Sequence, residues 1–394
     1  MKYAILIFLI ILTSGSILFS QNTIDRVLDE IEKNNTELQA LRKISDAQKL
    51  GNKTGIYLQN PEAEFNYLWG NPSRIGNRTD FSIKQTFDFP TAYVHKNKIS
   101  NLMNEQADLE YQKQLIAVML ETKQVCLDLI YINAISLEYA RRLEHARTIA
   151  ASYKSKFDIG ETNILEFNKA NLNLLNSEKE LEQAGIERNK LLSELTRLNG
   201  GQNVSFKDSV FDASLIPDDF DKWFLEAEKN NPVLSWLKKE VEISQKQIAL
   251  NRAMSLPKFQ AGYMSESVVS EHFRGISAGI SIPLWENRNK IKYAMANSSA
   301  LESIVSDNKV QFYNRLKALH AKASASQKSV NDYRMNLIAL DNSDLLRKAL
   351  DYGEVTLIDY MLELSIYYES MNRLLELERE LNKSVAELNQ FTGN

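Results

Sequence analysis

The sequence predicts a mainly α-helical protein with a small β part, built from two copies of one helix–β-hairpin–long helix–helix unit. Three observations carry this reading. First, the 394 residues hold 14 Gly and 7 Pro, roughly half the usual share of each. Residues 91–159 and 284–352 contain neither. An α/β enzyme needs turn formers far more often than that, so both stretches read as very long helices. Second, four short segments alternate apolar and polar residues, the strand period. Third, the chain resembles itself at a fixed offset, the mark of a duplicated architecture.

The self-similarity fixes the order of elements. Asn34-Asn35-Thr36-Glu37-Leu38 resembles Asn230-Asn231-Pro232-Val233-Leu234, 196 residues on, and Pro61 and Tyr67 match Pro257 and Tyr263. Phe157-Asp158-Ile159-Gly160-Glu161-Thr162 resembles Leu350-Asp351-Tyr352-Gly353-Glu354-Val355, 193 residues on; Leu198-Asn199-Gly200 matches Phe391-Thr392-Gly393. The expected organisation is a first repeat over 21–200, a linker over 201–218 and a second repeat over 219–394.

Each repeat opens with a helix, about 23–57 and 219–254. In the segments that follow, Ala63, Phe65, Tyr67 and Trp69 share one face. Phe81, Ile83, Gln85, Phe87 and Phe89 do the same opposite Asp80, Ser82, Lys84, Thr86 and Asp88. Phe259, Ala261 and Tyr263, then Ile276, Ala278, Ile280 and Ile282, repeat the pattern. Strands are expected over about 62–70, 80–89, 258–268 and 274–283, with the second connection inside 264–275. The long helices follow, about 91–157 and 287–350, on the order of 100 Å each at about 1.5 Å per residue. Turns at Asp158–Gly160 and Asp351–Gly353 lead to last helices over 162–198 and 355–391. In the second of these, Leu357, Met361, Leu364, Tyr368, Met371 and Leu375 step 4-3-4-3-4. Leu374, Leu377, Leu381, Ser384, Leu388 and Phe391 continue after a one-residue shift, a coiled-coil seam that changes phase.

The alternating segments carry the functional signal. Transmembrane strands need about 9–11 residues, apolar outward and polar inward. Four strands cannot close a barrel, and lipid tolerates no open edge. About eight is the practical minimum. Two chains would supply 8 strands and three would supply 12. A polar lumen running on into long helices would be a conduit. Trp69 and Trp285 fall near strand ends, where an interfacial aromatic belt sits.

The N-terminus reads as a secretory signal peptide over 1–20: Met1-Lys2, an apolar run, then Ser20-Gln21. No cysteine follows to take a lipid. Cys126 is the single cysteine and can form no internal disulfide or metal clip. The net charge of −4 gives no basic face for nucleic acid. His95, His145, His272 and His320 are scattered, no phosphate loop or nucleophile elbow is present, and no enzyme, metal or cofactor is expected.

The duplicated order resembles the TolC-type outer-membrane efflux proteins. So do Asn231-Pro232-Val233-Leu234, Ser281-Ile282-Pro283-Leu284-Trp285-Glu286-Asn287-Arg288, and the run Tyr352-Gly353-Glu354-Val355-Thr356-Leu357-Ile358-Asp359-Tyr360. Gln85-Thr86-Phe87-Asp88-Phe89-Pro90 is similar to the heavy-metal and small-cation efflux branch. The resemblance implies a homotrimer in the outer membrane of a Gram-negative bacterium, with a 12-stranded β-barrel on a periplasmic α-helical barrel. Its partners would be a periplasmic adaptor, an inner-membrane pump of RND or ABC type, and outer-membrane lipid. Asp158, Ile159, Gly160, Asp351, Tyr352 and Gly353 match the adaptor-docking tips. Asp359 matches an acidic position at the periplasmic aperture, with Glu166 its counterpart in the first repeat. A second acidic position of some family members falls at Leu362, beside Glu363. The rival reading is a soluble periplasmic coiled-coil adaptor, whose alternating segments would fold as a small domain.

Overall fold

Each half of the chain opens with a helical segment interrupted by an asparagine. The computed structural model describes residues 23–213 and 215–392. The expected signal peptide and Gly393 lie outside these residues. Helices α1 (Thr23–Asn34) and α2 (Thr36–Gly51) replace the single helix expected over 23–57. Asn35 between them is buried, and its amide donates to the Leu198 carbonyl at 2.8 Å. A side chain spent on a distant backbone group gives the helix a reason to stop there. In the second half, α5 (Phe220–Asn230) and α6 (Pro232–Met254) replace the helix expected over 219–254. Asn231 caps α6, accepting from Val233 N at 2.8 Å and Leu234 N at 3.2 Å, and Pro232 takes the first helical position. Proline there loses nothing, because that N–H has no intrahelical partner.

Between these helices lie β1 (Glu62–Leu68) and β2 (Arg78–Phe87), then β3 (Lys258–Val268) and β4 (Glu271–Ser281). Helix α3 runs unbroken from Pro90 to Asp158, and α4 spans Ile164–Leu198. In the second half the expected 287–350 helix is two helices, α7 (Lys290–Ala339) and α8 (Ser343–Asp351), before α9 (Leu357–Asn389). Asp341 makes the break. Its Oδ1 accepts from Ser343 N at 3.1 Å and Ser343 Oγ at 2.7 Å, and Tyr367 donates to its other oxygen. The side chain offers the backbone a turn in place of the next helical bond. Neither glycine nor proline is involved, so the composition argument could not reveal the break.

The chain forms two compact bodies, each drawing on both halves. One comprises residues 23–36, Ala117–Asp218 and Leu319–Gln390. Its core near the turns joins Ile149 and Ala150 of α3, Ala170 of α4, and Leu357, Tyr360 and Leu364 of α9. A second cluster sets Ala323, Val330 and Leu337 of α7 against Leu374, Leu381 and Val385 of α9. Leu374 and Leu381, seven residues apart, belong to the expected seam; Val385 lies off it. Leu357, Leu364, Leu374, Leu381, Ser384 and Leu388 of that seam are buried, and so is Tyr360, which lies off it.

Residues 201–213 and 215–218 pack onto this body. Val204 and Phe206 are buried. Arg188 donates to the Phe206 carbonyl, Asn133 to Asp208, Asn389 to Leu215, and His320 Nε2 to Pro217 at 2.6 Å. Four carbonyls of an irregular stretch thus find side-chain donors.

The other body comprises Glu37–Ile116, Asp219–Ala318 and residues 391–392. Phe224 stands edge-on to Tyr313 at 4.9 Å and 5.7 Å from Phe312, which meets Phe391 at 5.4 Å. Its sheet has the order β1-β2-β3-β4, all antiparallel. The sequence predicts two hairpins; the fold also pairs β2 with β3, from Arg78↔Val268 to Phe87↔Phe259. The two halves thus share one sheet. The second connection is a two-residue turn at Val269-Ser270, with Ser270 at φ 66°, and β4 starts three residues earlier than expected. Pairing with β3 satisfies the backbone there although the apolar alternation has lapsed.

Candidate functional site

The sheet's two faces follow from its register. One face carries the rows Phe87-Phe259-Ile280, Gln85-Ala261-Ala278 and Ala63-Ile83-Tyr263-Ile276, then Phe65-Phe81-Ser265-Arg274. The alternation expected in each strand therefore adds up to one apolar surface. It is uncovered: Ile276 is 90% exposed, Phe65 66% and Ile280 60%. An apolar patch of this kind on a lone chain marks an interaction with protein or lipid. The opposite face is mainly polar, with Leu68, Met264, Val268 and Phe273 as its apolar members towards the turns. There Arg78 pairs with Asp80 at 2.8 Å and with Glu266 across the strands at 3.1 Å, and Lys84 faces Glu64 at 3.7 Å. Among the described residues, strands β1 and β4 each keep one edge without a strand partner. Gly262 on the polar face is a close-approach glycine: a Cβ there would meet the Ile83 carbonyl oxygen and Ser277 Oγ.

The two turns between long and last helices match bond for bond. Gly160 has φ 78° and Gly353 φ 72°. Glu161 N donates to the Lys156 carbonyl and Gly160 N to Phe157; Glu354 N donates to Ala349 and Gly353 N to Leu350. This double bond pattern, with a left-handed glycine after the helix end, is a Schellman cap. It leaves Ile159 and Tyr352 projecting, 69% and 82% exposed. Asp158 and Asp351 each close the helix before the turn.

Glu166 and Asp359 occupy the same place in their helices, the third residue after the cap. Asn163 caps α4 by accepting from Glu166 N at 3.0 Å, and Glu166 takes a 3.2 Å contact from Lys169. Thr356 caps α9 by accepting from Asp359 N at 3.2 Å, and its hydroxyl donates to Asp359 Oδ2 at 2.6 Å. Both carboxylates therefore stabilise a helix start. Leu362 is exposed one turn on. The structure places each acid six residues past its tip glycine; within one chain each keeps to its own helix start.

A polar cluster that sequence reasoning missed lies beside the turns. His145 on α3 meets two tyrosines of α9, Tyr360 OH at Nε2 (2.6 Å) and Tyr368 OH at Nδ1 (3.2 Å). Burial, and then the charge of Arg347, holds its pKa below the ordinary value. A neutral imidazole fits both bonds, one nitrogen donating and the other accepting. Arg142, almost fully buried, stacks 4.3 Å from the Tyr368 ring and donates to the Tyr368 carbonyl and Asn372. These partners are more than 200 residues apart in sequence, and of them only Tyr368 lay on the heptad pattern of α9. Burial, with the charge of Asp208, pushes the Cys126 thiol up to about 12, so it stays protonated and unreactive. Among the described residues no helix is long and apolar enough to cross a membrane, and no three His, Cys, Asp or Glu gather as a metal site.

No family model matches the sequence, and no curated protein matches it. Solved structures do match. The outer-membrane channel OprN superposes with a TM-score of 0.78 at 12% identity, covering 95% of this chain and 91% of that one. CusC, solved in connection with folding and transmembrane channel formation, gives 0.76 at 13% identity, with 94% and 91% covered. The Campylobacter jejuni outer-membrane channel CmeC gives 0.74 at 15%, with 95% and 86% covered. The chain therefore has the fold of these channels, the fold that the resemblance to TolC-type proteins implies.

Proposed function

We propose that this chain is the outer-membrane channel of a tripartite export assembly, acting in efflux or in type I secretion. One observation carries the reading: a four-stranded sheet with one uncovered apolar face, one polar face and two open edges. In lipid such a sheet must close on further strands, because an unpaired edge costs several kcal/mol per group. Three copies give the 12 strands of a barrel whose interior is the polar face, lined by Arg78, Asp80, Glu266, Lys84 and Glu64. The shared fold with outer-membrane channels supports the same assignment. In this reading residues 1–20 direct secretion and the long helices extend into the periplasm. The turns at Asp158–Gly160 and Asp351–Gly353 dock a periplasmic adaptor coupled to an inner-membrane pump. The channel itself catalyses nothing.

Membrane fractionation and planar-bilayer recording test the proposal. Recovery in the outer membrane as a trimer, with discrete conductance, is the expected result. Recovery in the soluble periplasmic fraction would sink it and favour an adaptor. Two finer assignments have tests of their own. Three copies would gather Glu166 and Asp359 into a ring that favours cations. Asp359→Asn with Glu166→Gln is expected to weaken divalent-cation block of single-channel current, and unchanged block would remove the ring. Bulky charged residues at Gly160 and Gly353 are expected to abolish export while trimers persist; normal export would remove the docking assignment.

A further inference from the structure

The apolar face of the sheet carries one arginine. In the strand register Arg274 faces Ser265, in the row that begins with Phe65 and Phe81. Every other described strand residue on that face is uncharged or a histidine. Arg274 is exposed and, among the described residues, has no carboxylate within ion-pair distance, in contrast to Arg78. Arg78 points to the other face from the hairpin end of β2 and is neutralised twice, by Asp80 and Glu266. The sheet neutralises the inward arginine itself and leaves the outward one for another molecule.

Position along the strand says what that molecule is. The strand ends at Glu62, Phe87, Lys258 and Ser281 join the helices; the opposite ends form the hairpin turns. The apolar band runs from Ile282 towards the turns, and Arg274 stands eight residues along it. That is about 27 Å of strand, or about 20 Å of depth at a tilt of about 40°. The apolar belt of an outer-membrane barrel is about 25 Å tall, so Arg274 falls near its rim and not at its centre. One row beyond come His272, Thr79, Ser267 and Tyr67, with Trp69 80% exposed just past them and edge-on to Tyr67 at 5.4 Å. Aromatic rings with polar side chains at one level mark a membrane–water boundary. A guanidinium at that level, without an internal carboxylate, is placed for a bidentate contact with phosphate.

We infer that Arg274 forms a lipid site on the outer wall, binding a phosphate of the phosphorylated glycolipid of the outer leaflet, with the Tyr67 and Trp69 rings at the same boundary. The inference rests on the channel reading above, which sets the hairpin ends towards the cell exterior.

Native mass spectrometry of trimers purified from outer membranes tests it, with diphosphoryl and monophosphoryl lipid A as probes. Wild-type trimers are expected to retain the diphosphoryl form about fivefold better than Arg274→Gln trimers, as expected for one basic residue near an anionic lipid surface. Arg274→Lys should recover part of the difference, and the two probes should differ on wild type. Equal retention by wild type and Arg274→Gln, or no preference between probes, would overturn the site while leaving the channel reading intact. Single-channel conductance of Arg274→Gln equal to wild type confirms that the variant is folded and isolates the lipid effect. Absence of the wild-type chain from the outer membrane would overturn both readings.

Discussion

The first half of the chain reaches its tip at Gly160 on one helix of 69 residues. The second half reaches Gly353 across a break between Ala339 and Ser343. Counting by the 193-residue offset that relates the two tips, the break at Leu340, Asp341, Asn342 and Ser343 corresponds to Arg147, Thr148, Ile149 and Ala150. Ile149 and Ala150 are buried in the cluster with Tyr360 and Leu364. Their counterparts are polar, and Leu340 is exposed. Continuity of a long helix is thus decided by whether its mid-segment has a core to enter. Where it has none, a short acceptor such as Asp341 bonds its own backbone neighbours and the helix stops. The turns beyond the break are nevertheless the same, because the Schellman cap needs only a glycine at the left-handed position and local backbone bonds.

Moving the polar character of the second half into the first should give the largest effect. Ile149→Asn buries an amide where a methyl-rich side chain packs and should cost about 3 kcal/mol. Thermal unfolding and protease cutting near residue 149 measure it, and wild-type resistance would break the explanation of α3's continuity. Next come the tips. Gly160→Ala and Gly353→Ala each place a Cβ where nothing lies within 4 Å, so backbone strain alone should cost about 1 kcal/mol at each. Unequal losses would show that the tips differ beyond their caps.

The smallest effect belongs to the break. Asp341→Ala removes the exposed bonds that Asp341 accepts from Ser343, about 0.5–1 kcal/mol at neutral pH. The Ser343 hydroxyl and N–H hold the Asp341 carboxyl below its ordinary value of 3.8. Its contribution is therefore complete above that value and disappears as pH falls through the lowered one. Wild type and Asp341→Ala should converge in stability on acidification well below pH 3.8. A difference that persists there would mean that the carboxylate does not hold the break.

Much of the molecule could be read from residue order. Two long stretches without turn formers, glycines at 160 and 353, and period-two alternation are local signals, and local backbone physics decides helix, cap and strand. Asn35 and Asn231 were visible as a repeated Asn-Asn pair. That they end helices required seeing that Asn35 donates to Leu198 and that Asn231 turns back on Val233 and Leu234. Glu166 and Asp359 could be singled out by position, but their capping bonds depend on side-chain rotamers.

Four strands, each with one apolar face, follow from residue order, because a period of two is a property of the chain. Tertiary structure alone decided that β2 pairs with β3, which joins the halves into one sheet and brings the four apolar faces into register. Pairing across 172 to 190 residues depends on loop closure and strand register, which no local pattern encodes. The same holds for His145 between Tyr360 and Tyr368 and for the unpaired Arg274. In each case the environment of a charged or polar group is set by residues far away in sequence, and burial and register supply the partners or withhold them.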